Sequence, residues 1–371
     1  MSATTLSAAA EPTFRCRADT ARVPARSRST PPPPASEERR ARSTVRRRRL
    51  AIATLCALAQ LAAGGCGGGH AVASGHRGSR QAASGGGGAP TLRLSGVRTL
   101  PAPVQLPAVA AVSGGVLALG GLDAGEASTA NMVLIDQSGA RAVGRLPLAL
   151  HDAAAASIEG QAYYFGGGGA GGASGAIFRV GPASASLAGQ LPVGASDVGA
   201  ATVGHSAYIV GGYTEVVALR TIVAYTPGSG ARVAGTLPQP LRYAAVAAIG
   251  GKVLIAGGTS GEAAQQEILS FDPATGVVRQ IGTLPHPLTH AAGASLGGRF
   301  LVFGGRGSER TSQRAEILSI DPSDGSARRA GSLPRALSDL GAASLGTEVA
   351  LVGGRDRSGT VHDQVLTYRA R

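Results

Sequence analysis

Six Gly-Gly pairs, beginning at Gly120, Gly166, Gly211, Gly257, Gly304 and Gly353, recur along this chain, and each begins 20 residues after a Leu-Pro pair. The Leu-Pro pairs begin at Leu100, Leu146, Leu191, Leu237, Leu284 and Leu333, so the repeat period wanders only between 45 and 49 residues. A fixed offset inside a slightly elastic period means one rigid unit copied six times, with insertions confined to one loop.

One copy shows the grammar of the unit. Leu237-Pro238 leads to the small-residue run Ala244–Ala248, a Gly250-Gly251 turn, Val253–Ala256 and the pair Gly257-Gly258. A variable loop follows, then Ile268–Asp272, a Pro-Ala-Thr-Gly turn and Val277–Ile281. Four short β runs separated by Gly and Pro predict a four-stranded antiparallel sheet per unit. Such a sheet cannot bury both faces alone, so six of them predict an all-β, six-bladed β-propeller. The first run of each copy is built from small residues, as in Ala153–Ala156 and Ala291–Ser295. That is what strands converging on a central channel require, and it favours a closed ring over an open solenoid.

The chain ends predict how the ring closes. The last unit stops at Tyr368–Arg371, after its third strand, while Leu92–Thr99 looks like a fourth strand without its own first three. The N-terminal strand is expected to complete the last blade and remove an exposed sheet edge. With 371 residues, 43% hydrophobic but only 4% aromatic, no Trp and 57 Gly, the interior must be filled by Ala, Val, Leu and Gly.

The formal net charge of +13 is concentrated at one end. Residues 1–50 hold twelve Arg and four acids, leaving +5 for the rest. The repeats carry scattered Arg and one Lys, Lys252, with no basic run interleaved with aromatics, so no nucleic-acid partner is expected. The three cysteines, Cys16, Cys56 and Cys66, all precede the repeats, which excludes thiolate chemistry, a Cys-held metal and a stapling disulfide from the repeat domain. No cofactor and no metal site are expected.

The first ninety residues read as targeting. Residues 1–45 are Arg-, Pro- and Ser-rich, a disordered composition that is either a leader extension or a start codon placed too early, with translation beginning near Val45. Residues 46–65 carry Arg46–Arg49, the apolar stretch Leu50–Ala63 and Gly64-Gly65, the pattern of a secretory signal peptide. Cys66 follows directly and begins a Gly- and Ser-rich linker over residues 66–90, ahead of the propeller at 91–371. This arrangement resembles the lipobox of bacterial lipoproteins, although Ala63 stands where that pattern usually has Leu. The resemblance implies lipidation of Cys66 and a protein anchored to the outer face of the cell membrane without a transmembrane helix. The alternative is cleavage nearby and a freely secreted protein.

The repeats themselves resemble the kelch family. The resemblance covers residues 91–371 and rests on the second strand running into a Gly pair, as in Val253–Gly258, and on Phe271-Asp272-Pro273 with Gly276 and Ile320-Asp321-Pro322 with Gly325. WD40 repeats fit less well, since no Trp-Asp pair exists. In one respect the chain departs from the kelch pattern: Ala140, Ala185, Ala231, Val278 and Ala327 stand where that family packs a Trp between blades.

In kelch rings the ligand face is built from the loop entering the first strand and the loop after the Gly pair. Carried over by position, the resemblance implies a ligand-binding ring of His151, Asp152, Asp197, Arg242, Tyr243, His290 and Asp339 from the entry loops. Tyr213, Arg306 and Arg355 join it from the loops after the Gly pairs, while the first unit offers only Gln105-Leu106 and Leu122. Asp152, Asp197 and Asp339 share one repeat position and are expected to be three solvated loop caps. Gly166–Gly169 with Gly171-Gly172 follows a strand but lacks the helix and Lys-Ser/Thr of a phosphate loop, and reads as a long flexible loop.

The function expected from these features is a monomeric, non-enzymatic module binding a protein or glycan at one mouth of the channel. A copper oxidase resembling galactose oxidase is disfavoured, since that chemistry uses a Tyr cross-linked to Cys and the repeat domain has no Cys. A cofactor-free sugar mutarotase or epimerase, similar to the six-bladed sialic acid epimerases, stays open, with His151, His290, Asp197, Arg242 and Arg306 as its acid, base and cationic clamp. A purely structural surface protein is the third reading.

Overall fold

The computed structural model describes residues 91–371, so the extension, signal peptide, linker and Cys66 read from residues 1–90 lie outside the described residues. Six antiparallel sheets follow one another as the blades of a propeller, each with four main strands and the fourth with a short fifth strand added, and no helix occurs among the described residues. The innermost strands are Ala108–Val112, Ala154–Ile158, Gly199–Val203, Ala245–Ile249, Ala292–Leu296 and Gly341–Leu345. Each touches the innermost strand on either side, and the sixth touches the first, so the ring is closed.

Closure uses the predicted strand. Leu92–Thr99 pairs antiparallel with Gln364–Ala370 as the outer strand of the sixth blade, from Leu92 opposite Ala370 to Thr99 opposite Gln364. The inner strands approach closely because their residues are small. A Cβ on Gly293, for example, would lie 2.6 Å from the main-chain nitrogen of Val246 in the neighbouring blade.

The core is divided into six clusters, one between each pair of adjacent blades. Aromatic side chains from second and third strands fill five of them, such as Tyr164 and Phe178 between the first two blades and Phe303 and Tyr368 between the last two. Ala140, Ala185, Ala231, Val278 and Ala327 do lie against these clusters, half-buried. The bulk that a fourth-strand Trp would supply therefore comes from the middle of each blade. The seam between the sixth and first blades holds only aliphatics, including Val109, Val116, Ile135, Val352 and Val365.

Two details differ from the sequence reading. Gly168–Gly169 pairs with Gly172–Ala173, so the Gly-rich stretch is a tight hairpin rather than a long flexible loop, because Gly172 supplies the left-handed turn at φ 88°. In the fourth blade the outer strands run further than expected, over Ala263–Asp272 and Val277–Leu288, since the short hairpin at Thr259–Ala264 lets the third strand begin early.

Candidate functional site

The Gly pair explains how the site is assembled. The second Gly of each pair donates its N–H to a carbonyl of the next blade's entry loop: Gly121 to Leu150, Gly167 to Ala195, Gly212 to Leu241, Gly258 to Leu288, Gly305 to Leu337 and Gly354 to Val104, all at 2.8–2.9 Å. A Cβ on that second Gly would also press on its own blade's entry loop, as at Gly258, where it would lie 2.8 Å from the Arg242 carbonyl oxygen. Only a residue without a side chain lets both loops meet there.

Immediately beyond the pair, the two loops of each blade exchange reciprocal N–H···O bonds of 2.8–3.1 Å. The bridged residues are Gln105 with Leu122, His151 with Gly168, Ser196 with Tyr213, Arg242 with Thr259, Thr289 with Arg306, and Ser338 with Arg355. The residue after each bridge turns to the channel mouth. In order these are Leu106, Asp152, Asp197, Tyr243, His290 and Asp339, and all six have a left-handed backbone with φ between 54° and 62°. Main-chain bonds link four neighbouring pairs of this inner ring, at 2.8–3.1 Å: Leu106 donates to Asp339, Asp339 to His290, His290 to Tyr243 and Tyr243 to Asp197.

The ring surrounds an open concavity of about 700 Å³, counting the part open to solvent. Its floor is the alanine-rich wall of the channel, including Ala154, Ala200, Ala292 and Ala342. Of the ten residues read from the sequence, Asp152, Asp197, Tyr243, His290 and Asp339 line this concavity. His151, Tyr213, Arg242, Arg306 and Arg355 form an outer tier on the bridges behind it.

The three carboxylates are not solvated caps. Asp152, Asp197 and Asp339 are 8%, 4% and 8% exposed, because ring closure brings the neighbouring entry loops over them. Burial pushes the carboxyl of each above the usual range, and for Asp152 the charges of Asp197 and Asp339 push in the same direction. Asp197 is ion-paired with Arg242. Asp339 accepts a hydrogen bond from the Ser338 hydroxyl and feels the guanidinium groups of Arg306, Arg355 and Arg310. Asp152 Oδ2 accepts a 3.3 Å bond from the Tyr243 hydroxyl, while its Oδ1 is buried without a hydrogen-bond partner.

Tyr243 and His290 stack at 3.7 Å between ring centroids. The Arg242 guanidinium lies 5.0 Å from the Tyr243 centroid and 4.0 Å from that of Tyr213. Arg306 Nη2 donates to His290 Nε2 at 3.2 Å, and Thr289 Oγ1 lies 3.0 Å from His290 Nδ1. A guanidinium can only donate, so His290 is neutral, with its proton on Nδ1 toward Thr289. Burial, helped by the charges of Arg306, Arg242 and Arg310, holds its pKa well below the usual imidazole range. Burial also lowers the pKa of His151, against the charges of Asp197 and Glu215, and its Nδ1 lies 2.8 Å from the Ser128 hydroxyl. Arg355 pairs with Glu126 of the first blade at 3.0 Å.

Three participants escape a sequence reading. Tyr164 reaches the ring from a second strand, and its buried hydroxyl has no hydrogen-bond partner, while Asp152 perturbs it electrostatically. Arg310 acts on His290, Arg306 and Asp339 from within a variable loop. Gln313, almost fully buried, reaches Ser338 at 3.4 Å. The repeated polar residue just before the ring position, as in Thr289 and Ser338, was the one legible trace of this support. Among the described residues, no three or more His, Cys, Asp or Glu come together as a metal-binding group. The chain matches no protein-family model and no curated protein.

Proposed function

We propose that this propeller is the binding module of an exported, lipid-anchored protein of the kelch type, and that it takes a polar group of a protein or glycan ligand at the channel mouth. The observation behind this reading is the inner ring. Six non-glycine residues occupy a repeat position whose backbone is left-handed in every blade. Glycine would fit there at no conformational cost, and a bulky residue in this region costs about 1–3 kcal/mol. Holding Leu, Tyr, His and three Asp at that position, with the carboxyls buried, works against stability, as sites kept for a ligand commonly do.

The same geometry makes the test clean, because a glycine at a ring position removes the side chain without straining the backbone. Glycan and peptide arrays probed with the full chain are expected to return a saturable ligand whose affinity falls about tenfold in His290→Gly. A ligand bound equally well by His290→Gly and Asp197→Gly would put the binding surface elsewhere. The lipid anchor predicts incorporation of a labelled fatty acid that Cys66→Ser abolishes, and an unlabelled wild type would end that part of the reading.

One observation favours the enzymatic alternative. A neutral imidazole, His290, and a carboxyl disposed to hold its proton, Asp152, line one concavity, which is the pairing that acid–base exchange at a sugar carbon needs. It predicts that the full chain accelerates sugar anomer exchange followed by NMR, and that His290→Gly loses the acceleration.

A further inference from the structure

Asp152 stands apart from the rest of the inner ring. The main-chain bonds that join Asp197, Tyr243, His290, Asp339 and Leu106 in series stop on either side of it. Among the described residues, none joins Leu106 to Asp152 or Asp152 to Asp197. It is also the ring carboxylate with no arginine of its own: the guanidinium whose charge it feels, Arg242, is ion-paired with Asp197. Asp197 has Arg242, and Asp339 has Ser338 and the nearby Arg306 and Arg355. Asp152 has the Tyr243 hydroxyl on Oδ2 and nothing on Oδ1, although it is more than nine-tenths buried and lines the concavity.

The charged and titratable groups facing it sharpen the contrast. Asp197 and Asp339 oppose its charge, and the Tyr164 hydroxyl, itself unpartnered, lies within its field. Arg242, whose charge favours the ionised form of Asp152, is committed to Asp197, and burial lowers the pKa of His151, whose Nε2 lies 3.8 Å from Oδ2. Glu215 adds a further negative charge on the His151 side. The cationic side chains Arg242, Arg306, Arg310 and Arg355 belong to the fourth to sixth blades, so the mouth is acidic over the second and third blades and basic opposite them.

We propose that Asp152 anchors the primary ammonium group of the ligand, such as a lysine side chain or an amino sugar. This rests on the mouth being a binding site and names the chemistry it selects. A buried carboxyl facing two others is unfavourable until a cation arrives, so an ammonium group converts that cost into affinity. A neutral hydroxyl does not compensate the charge, and an anion meets three carboxyls. The ammonium enters as Asp152 gives up the proton that burial favours, so binding releases a proton to solvent. The aromatic rings of Tyr243 and Tyr213 are already engaged by His290 and Arg242, which leaves the carboxyl as the recognition element.

The test uses the full chain and four probes in titration calorimetry at neutral pH: glucosamine, N-acetylglucosamine, Nα-acetyl-lysine methylamide and its Nε-acetylated form. Either free amine is expected to bind at least about tenfold more tightly than its acetylated counterpart, and the better amine identifies the source. The enthalpy should vary with the ionisation enthalpy of the buffer, reporting proton release. Asp152→Asn should abolish both the preference and the buffer dependence while remaining folded, since Asn tolerates the left-handed backbone. No saturable amine binding up to about 10 mM, or amine preference surviving in Asp152→Asn, overturns the proposal. If array ligands then still lose affinity in His290→Gly, the mouth remains the site and only its chemistry is wrong. If they do not, the functional reading fails as well.

Discussion

A tyrosine or histidine in the left-handed region works against its own backbone, whereas glycine there is at ease. This chain uses both solutions a few residues apart. The second residue of each Gly pair is confined by φ and by space together: Gly258 has φ 101°, and an added Cβ would lie 2.8 Å from a carbonyl oxygen. Gly251, in the turn of the same blade, has φ 77° with nothing within 4 Å. Gly258→Ala is therefore expected to cost about 2–3 kcal/mol in urea denaturation and Gly251→Ala about 1 kcal/mol, since only the first adds a clash to the strain. Equal losses would mean that the interblade stitch contributes nothing beyond its dihedral angle.

The outer strands show how a second fixed glycine shapes each blade. Where the third and fourth strands pair, the register shifts in all six blades, beside Gly144, Gly189, Gly235, Gly282, Gly331 and Gly96. The neighbouring blade crosses there: a Cβ on Gly235 would lie 2.6 Å from the Phe271 ring, and one on Gly189 3.3 Å from that of Tyr225. Five of these glycines stand two residues before a Leu-Pro pair, so the bulge was visible in the sequence as Gly-x-Leu-Pro although its meaning was not. The closing strand is the element on which the ring most depends. It covers the edge of Gln364–Ala370, and Ser95 bonds both Glu348 and the Thr367 carbonyl at 3.0 Å. Deleting residues 1–99 is expected to yield a protein that associates on size-exclusion chromatography and loses cooperative thermal unfolding, because a bare edge pairs with other chains. A monomeric deletion variant with the wild-type melting temperature would show that closure is dispensable.

At the scale of the molecule, blade number, closure and the identity of five mouth residues were legible, because each depends on backbone geometry that Gly, Pro and small residues encode locally. The environment of the mouth was not. Burial of Asp152 is imposed by loops far away in sequence, which only a closed ring brings together, so an expectation of solvated carboxylates follows naturally from one unit read alone. Tyr164 was hidden for the same reason, inside the apolar run Tyr163–Phe165. The mouth holds a buried, incompletely partnered carboxyl at the expense of stability. A carboxyl whose pKa is raised by folding keeps its proton in the native state after the unfolded chain has released it. Its stabilising contribution is full below the unfolded value of about 3.9 and is lost as pH rises through the folded value. The decisive measurement is the unfolding free energy of Asp152→Asn and wild type from about pH 4 to about pH 8. The variant should be more stable by about 1–3 kcal/mol at neutral pH, with the difference closing toward the acid end. A variant equal to or weaker than wild type at neutral pH would mean that Asp152 is already satisfied within the fold, and that the mouth reserves no charge for a ligand.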